Sequence, residues 1–331
     1  MSDAELPDAL RDELRAAWHR YLDQVAPLRP ALHAVCRRLT GDVWDAEDLV
    51  QDTLLRAFAT LGSIHHRIEN PRAYLLRTAT NLWIDAHRRR GSEARALAQQ
   101  DSAAPEPPPG GVREAGERLL QRLSPQERAA VVLKDAFELS LEEIADVLRT
   151  TVGAVKAALH RGRGRLDEPE GGAASQRPRP SLALVDRFVA LYTAADVPGL
   201  VALMLDGGSV ENVGCGVEFG RENFPSKAGW FHHAVFGHPE WPPELQYSGS
   251  RLARAELDGE PLILGFTTRR GREALEQVLR IEEIDGKIAR LRGYAFCPET
   301  MREVGERLGL RVRTGLYRYP TAAPGKTYET R

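Results

Sequence analysis

Apolar residues recur at helical spacing through residues 5–90 and again through 139–166, then give way to short alternating runs over the last third of the chain. Residues 5–90 are almost free of glycine, and Pro7, Pro27, Pro30 and Pro71 punctuate what reads as consecutive helices. Asp45 is placed to cap a helix that runs to about Leu61 and buries Val50, Leu54, Ala57 and Leu61. Pro71 opens the next helix, whose apolar side is Tyr74, Leu75, Ala79, Leu82 and Trp83. Further on, Ser140 and Glu143 form a capping box ahead of Leu141, Ile144, Ala145 and Leu148. Arg149 to Thr151 make a tight turn, and Thr151 caps a second helix with Val152, Val155, Leu159 and Leu166 on one face. The spacing predicts a helix-turn-helix with a basic second helix.

Leu182 to Leu205 again carries a helical pattern, with Val185, Phe188, Leu200 and Leu203 among the residues expected to be buried. Strand signals follow in SVENVG, GVEFG, RLARAEL, PLILGFTT, ALEQVLRIEEID and KIARLRGYAF, separated by turns such as Asp258-Gly259 and Asp285-Gly286. A helical start followed by a curved antiparallel sheet predicts an α+β cone. Two stretches rich in Pro, Gly, Ala and small polar residues cannot bury a core. They divide the chain into segments 1–92, 93–112 (linker), 113–168, 169–180 (linker) and 181–331.

Composition narrows the function classes. At 331 residues, 42% hydrophobic and 28% charged, the chain reads as a globular protein of two or three domains. A net charge of −2 means that nucleic acid would be met by local basic patches rather than a global field. Cys36, Cys215 and Cys297 lie far apart, with no CxxC and no histidine at zinc spacing, so neither disulfides nor metal nor another cofactor is expected. The acidic first residues lack an apolar signal core and no run reaches membrane-spanning length. The expectation is a cytoplasmic protein without a membrane partner.

Four groups of residues are candidates for chemistry. On the helix after Thr151, Lys156, His160, Arg161, Arg163 and Arg165 can meet phosphates and base edges, because an α-helix fits the major groove. Glu47, Asp48, Gln51 and Asp52, beside Leu55, form an acidic stripe suited to a basic partner. Asn81, Trp83, His87, Arg88, Arg89 and Arg90 mix amide, aromatic and cationic groups, which suits unpaired bases. In the C-terminal part, Asp206, Asn212, Trp230, His232, His233, His238, Trp241, Tyr247 and Tyr294 are candidates to line the cone. No acid/base pair at recognisable spacing stands out there, so no catalytic residue is assigned.

DAEDLVQDTLLRAF (Asp45 to Phe58), NPRAYLLRTATNLWIDAHRRR (Asn70 to Arg90) and the block from Leu123 to Leu166 resemble regions 2 and 4 of extracytoplasmic-function (ECF, group 4) sigma factors of bacterial RNA polymerase. The resemblance implies a non-enzymatic protein that binds core polymerase and directs promoter-specific initiation. The acidic stripe would meet the β′ clamp, with further contacts to the β subunit. Asn81 would help hold a base flipped from the −10 element, and His87 to Arg90 would hold phosphates near the melted strand. The helix after Thr151 would read the −35 element, although Ala157 and Ala158 stand where the family often has Ser and Arg.

The last meander, VLRIEEIDGKIARLRGYAFCPET, resembles the closing strands of SnoaL-like domains of the NTF2-like superfamily. This gives a multidomain expectation of an all-α sigma region 2, a region 4 helix-turn-helix and an α+β NTF2-like cone regulating in cis. Related sigma factors have a DGGG-like motif in that domain; here Asp206 begins DGGS. The sequence leaves room for a small ligand of the cone and for a separate anti-sigma factor. Two alternatives stay open at this point: a ligand-responsive helix-turn-helix regulator, and a DNA-binding module fused to a SnoaL-like enzyme.

Overall fold

Proline and short polar side chains set the helix boundaries of the N-terminal half. The structure, a computed structural model, describes residues 8–61, 68–97, 123–166, 178–225, 250–315 and 317. Helix α1 (Asp8–Val25) passes through a single 3-10 turn containing Pro27 into α2 (Arg29–Thr40), which Gly41 ends at φ 75°. The cap of α3 (Val43–Leu61) is Asp42 rather than Asp45: its Oδ1 accepts the N–H groups of Trp44 and Asp45, each at 2.9 Å. Asp45 already lies in the first turn, where its carboxylate still favours the helix dipole. Asn70 accepts the Ala73 N–H at 3.0 Å and Pro71 begins α4 (Pro71–Leu97). That helix continues beyond residue 92, so the expected linker starts as helix; residues 98–112 lie outside the described residues.

Helices α5 (Pro125–Val131), α6 (Leu141–Val147) and α7 (Val152–Leu166) follow. Capping boxes start α5, through Ser124 and Glu127, and α6, through Ser140 and Glu143. The Ser140 backbone and hydroxyl bonds hold the Glu143 carboxyl below the usual range. Its contribution to stability is present above the unfolded-state value and is lost as the pH falls through the lower folded value. An NMR titration is expected to show Glu143 ionising at lower pH than a model glutamate, and Ser140→Ala should move it back up. A Glu143 titration unaffected by Ser140→Ala would remove the hydroxyl as a cause and leave the Ser140 N–H, which the variant keeps.

The chain divides into two compact units, Arg20–Gln176 and Met1–His19 with Arg177–Arg331. In the first, α2, α3 and α4 bury Leu32, Val35, Leu39, Val50, Leu54, Leu75, Leu76 and Ala79, while Leu61 at the end of α3 remains 41% exposed. Leu133, Ile144, Val147, Val155 and Leu159 form the core of α5 to α7, joined by Ala158.

In the second unit, Ser181 caps α8 (Leu182–Thr193) and Asp196 caps α9 (Val197–Leu203). Strands β1 (Met204–Asn212), β2 (Gly216–Phe219), β3 (Arg251–Leu257), β4 (Glu260–Arg269), β5 (Arg272–Ile284) and β6 (Lys287–Gly293) follow, and then α10 (Pro298–Leu308). The sheet order is β2-β1-β6-β5-β4-β3. Asp258-Gly259, Arg270-Gly271 and Asp285-Gly286 all have positive φ, the conformation that lets two-residue turns follow the strand twist, so β3 to β6 form an antiparallel meander. The expectation of a closed antiparallel cone is corrected in two respects. The described sheet is open, with β2 and β3 at its edges, and β1 pairs with β6 in parallel. One face carries Val210, Ile263, Leu279, Ile281 and Leu291, packed with Leu184, Val185, Phe188, Leu200 and Leu203 of the helices. Outside the meander, Val312 bridges Leu275 in parallel.

Candidate nucleic-acid interface

The turn between α6 and α7 is made by Arg149 at φ 48°, and the Thr150 N–H donates to the Ala145 carbonyl at 2.9 Å. Thr151 accepts the Ala154 N–H at 3.2 Å, the cap read from sequence. Buried Val155, Ala158 and Leu159 fix one side of α7, leaving Lys156, Ala157, His160, Arg161 and Arg163 exposed on the rest. Ala158, which stood as a departure on the reading helix, is therefore a core residue. Only the backbone of Arg165 is described.

Two of the α7 cations are held by carboxylates. Arg161 Nε donates to Glu127 Oε1 at 3.0 Å, and this glutamate, 3% exposed, also closes the α5 capping box. Arg163 Nε donates to Asp135 Oδ2 at 3.3 Å, and that partnership raises the Arg163 pKa. Among the described side chains of α7, Lys156 and His160 are the exposed groups whose charge or hydrogen bonds are not committed to such a pair. A shallow groove along another flank of the helix is lined by Gln126, Leu148, Thr150, Ala154, Ala157 and Arg161.

On α3, Asp52 and Leu55 are exposed and Asp48 and Gln51 half-buried, but Glu47 does not lie on that stripe. It is fully buried against Arg29 of α2, with Gln51 donating to it at 2.6 Å and the His33 ring 4.0 Å away. Sequence periodicity placed it with Gln51, four residues on; the buried cation that captures it comes from eighteen residues away.

On α4, Asn81 and His87 are half-buried and Arg88 and Arg89 exposed, while the side chain of Arg90 lies outside the described residues. Trp83 is only 3% exposed. The His87 ring lies tilted beside it, centroids 5.2 Å apart, and the guanidinium of Arg128, from α5, lies 5.3 Å from the indole centroid. Arg128 Nη1 donates to the Leu39 carbonyl of α2 at 2.8 Å, and burial lowers its pKa to about 10. Arg38 over the Phe137 ring and the Arg77–Asp146 pair at 3.2 Å join the same two helical groups. Sequence reading missed Arg128 as a contact, because its partners Leu39 and Trp83 are remote in sequence.

The candidate residues of the second unit fall in separate surroundings. Asp206, on β1, has an 88% exposed side chain and pairs with Arg221 at 3.2 Å. Tyr294 is fully buried, its Oη accepting from Arg280 at 3.2 Å, on the sheet face of Arg292 rather than the face packed by α8 and α9. Trp230, His232, His233, His238, Trp241 and Tyr247 lie outside the described residues. Among the described residues there is no cluster able to hold a metal ion, and no helix long and apolar enough to cross a membrane.

Family comparison places sigma-70 region 2 on residues 25–93 and sigma-70 region 4 on residues 113–166. The ECF RNA polymerase sigma factor SigG of Mycobacterium tuberculosis is 32% identical over 211 residues, 54% of this chain and 57% of SigG. The chain thus spans little more than half the length of that relative. ECF sigma factor SigW of Bacillus subtilis is 30% identical over 164 residues, 44% of this chain and 86% of SigW. The probable ECF sigma factor SigI of Mycobacterium tuberculosis is 24% identical over 314 residues, 90% of this chain and 98% of SigI.

Proposed function

We propose, from the premise that this chain belongs to the ECF sigma-70 family of RNA polymerase sigma factors, that it binds core polymerase and directs promoter-specific initiation in the cytoplasm. The observation that carries this is the order in which regions 2 and 4 fall on the two helical groups of one unit. Asp48, Gln51, Asp52 and Leu55 form the surface offered to polymerase; Glu47 supports it from beneath. Asn81, Arg88 and Arg89 face the −10 element, an amide for base edges and cations for phosphates. Trp83 reaches a base only after Arg128 has moved off its ring.

Helix α7 reads the −35 element through Lys156 and His160, and the methyl groups of Ala154 and Ala157 suit the methyl of thymine. Arg161 and Arg163, oriented by Glu127 and Asp135, serve phosphates more readily than base edges. The second unit acts in cis as a regulatory domain of the SnoaL-like, NTF2-like kind without catalytic residues of its own. Its helix pair followed by a hairpin-rich sheet supports that reading, and the match to SigI extends through it.

The test is capture of core polymerase by the full chain. Asp48→Arg with Asp52→Arg is expected to weaken binding at least tenfold while leaving the circular dichroism unchanged. Undiminished affinity would remove α3 as the polymerase-facing helix, and failure of the wild-type chain to bind core or initiate at any promoter would overturn the functional reading itself.

A further inference from the structure

The second unit holds a buried carboxamide with no partner. Asn212, at the end of β1, is 3% exposed, and neither its Oδ1 nor its Nδ2 makes a hydrogen bond. Beside it in register is Gly293 of β6, whose β5 partner is Leu279. Two residues before Leu279, Gln277 is 4% exposed and pairs with Gly265 of β4. The amide ends of Asn212 and Gln277 converge above Gly293: a β-carbon there would lie 3.1 Å from Asn212 Oδ1 and 3.5 Å from Gln277 Nε2. At Gly265 the missing side chain leaves the room that Gln277 fills, with a β-carbon there only 3.1 Å from Gln277 Cβ. Two glycines thus make space on one sheet face for two amides.

The surroundings define what could satisfy Asn212. Leaving both polar ends of a carboxamide dry is unfavourable, so such groups ordinarily meet a partner in the working state. The directly neighbouring positions on this face are apolar: Val210, Leu291, Leu279, Ile263 and Leu252. The buried charges of the sheet lie on the other face and neutralise one another, Arg280 with Glu260, Arg292 with Glu211, and Arg269 with Glu276. A charged ligand would find no counter-ion beside Asn212. A carboxamide both donates and accepts, so its complement is another neutral group that does both.

We infer that Asn212 and Gln277 form a binding site for a small neutral molecule with an apolar body and one carboxamide- or lactam-type edge. The edge pairs with the Asn212 amide and the body lies on Leu279 and Leu252. This goes beyond promoter recognition and does not depend on it, since the site is built wholly within the second unit.

The experiment uses the full chain with benzamide as probe, benzoate as its charged counterpart, and side-chain amide NMR signals as readout. Benzamide is expected to shift the Asn212 NH2 resonance saturably, and benzoate to bind at least tenfold more weakly. Asn212→Leu should fold with a melting temperature no lower than wild type, because it removes an unsatisfied amide, and should lose the benzamide response. Should that variant not fold, Gly293→Ala supplies a second arm: its methyl occupies the point between the amides and should weaken benzamide at least tenfold. The proposal is overturned if benzamide leaves the Asn212 signal unmoved, if benzamide and benzoate bind alike, or if Asn212 contacts a long-lived water only.

Discussion

Glu47→Ala is expected to destabilise the helical unit by about 3–5 kcal/mol, the usual cost of removing one partner of a buried ion pair. Glu47 is fully buried and Arg29 only 2% exposed, so truncation removes this counter-ion from a guanidinium that is out of water. Gln51 loses its acceptor in the same step. Nearby, burial first and the Glu47 charge second push the Cys36 thiol well above its ordinary pKa. Glu47→Gln should recover only part of the loss, because it preserves shape and hydrogen bonding but not charge. Arg29→Met combined with Glu47→Leu should recover most of it. Urea melts followed at the helical unit's own transition provide the measurement, since two units need not unfold as one. A loss below 1 kcal/mol for Glu47→Ala would mean that the pair is open to water in solution.

The second large effect is expected at Gly305 in α10. A β-carbon there would sit 2.0 Å from Val312 Cγ2 and 3.2 Å from the Leu310 carbonyl, so even alanine requires the following segment to move. That segment is tied to the sheet: the Leu275 N–H donates to the Arg311 carbonyl at 2.8 Å, and the Arg313 N–H donates to the Leu275 carbonyl at 2.9 Å. Overpacking of this kind costs about 1–3 kcal/mol. Gly305→Ala should lower the melting temperature of the second unit and speed amide exchange at Leu275 and Arg313. Val312→Ala in the same chain should offset part of the loss, with a coupling energy of about 1 kcal/mol or more between the two positions. Additive effects would show that the two residues do not meet.

The helix-turn-helix and five of the strands could be placed from sequence within a few residues because their signals are local. A serine three residues before a glutamate starts α6, and paired positive-φ turn residues join the strands of the meander. What escaped depends on partners remote in sequence. Glu47 has the periodicity of the exposed stripe, and only Arg29 on the preceding helix explains its burial. The parallel pairing of β1 with β6 joins segments about eighty residues apart, and no local pattern distinguishes it from an antiparallel alternative. Helix α10, PETMREVGERL, has no counterpart among the predicted elements; Met301 and Val304 give its mostly polar sequence a buried side. Of the candidate residues, Thr151 caps α7 and Lys156 and His160 are exposed, as the helical pattern has it. Trp83 is not, because the group that covers it comes from a helix that begins more than forty residues later.

Arg128 joins the two helical groups with a desolvated cation that rests on a carbonyl and an indole ring. An apolar residue in its place would gain nothing from water on separation, whereas a guanidinium recovers its hydration as soon as the contact parts. The fastening therefore resists small displacements yet favours full release. In kinetic terms it behaves as a catch: the closed arrangement persists until a competing surface pulls hard enough to wet the arginine, after which re-closure must strip that water away again. Separation of the two helical groups would then come in one cooperative step instead of rising in proportion to the pull.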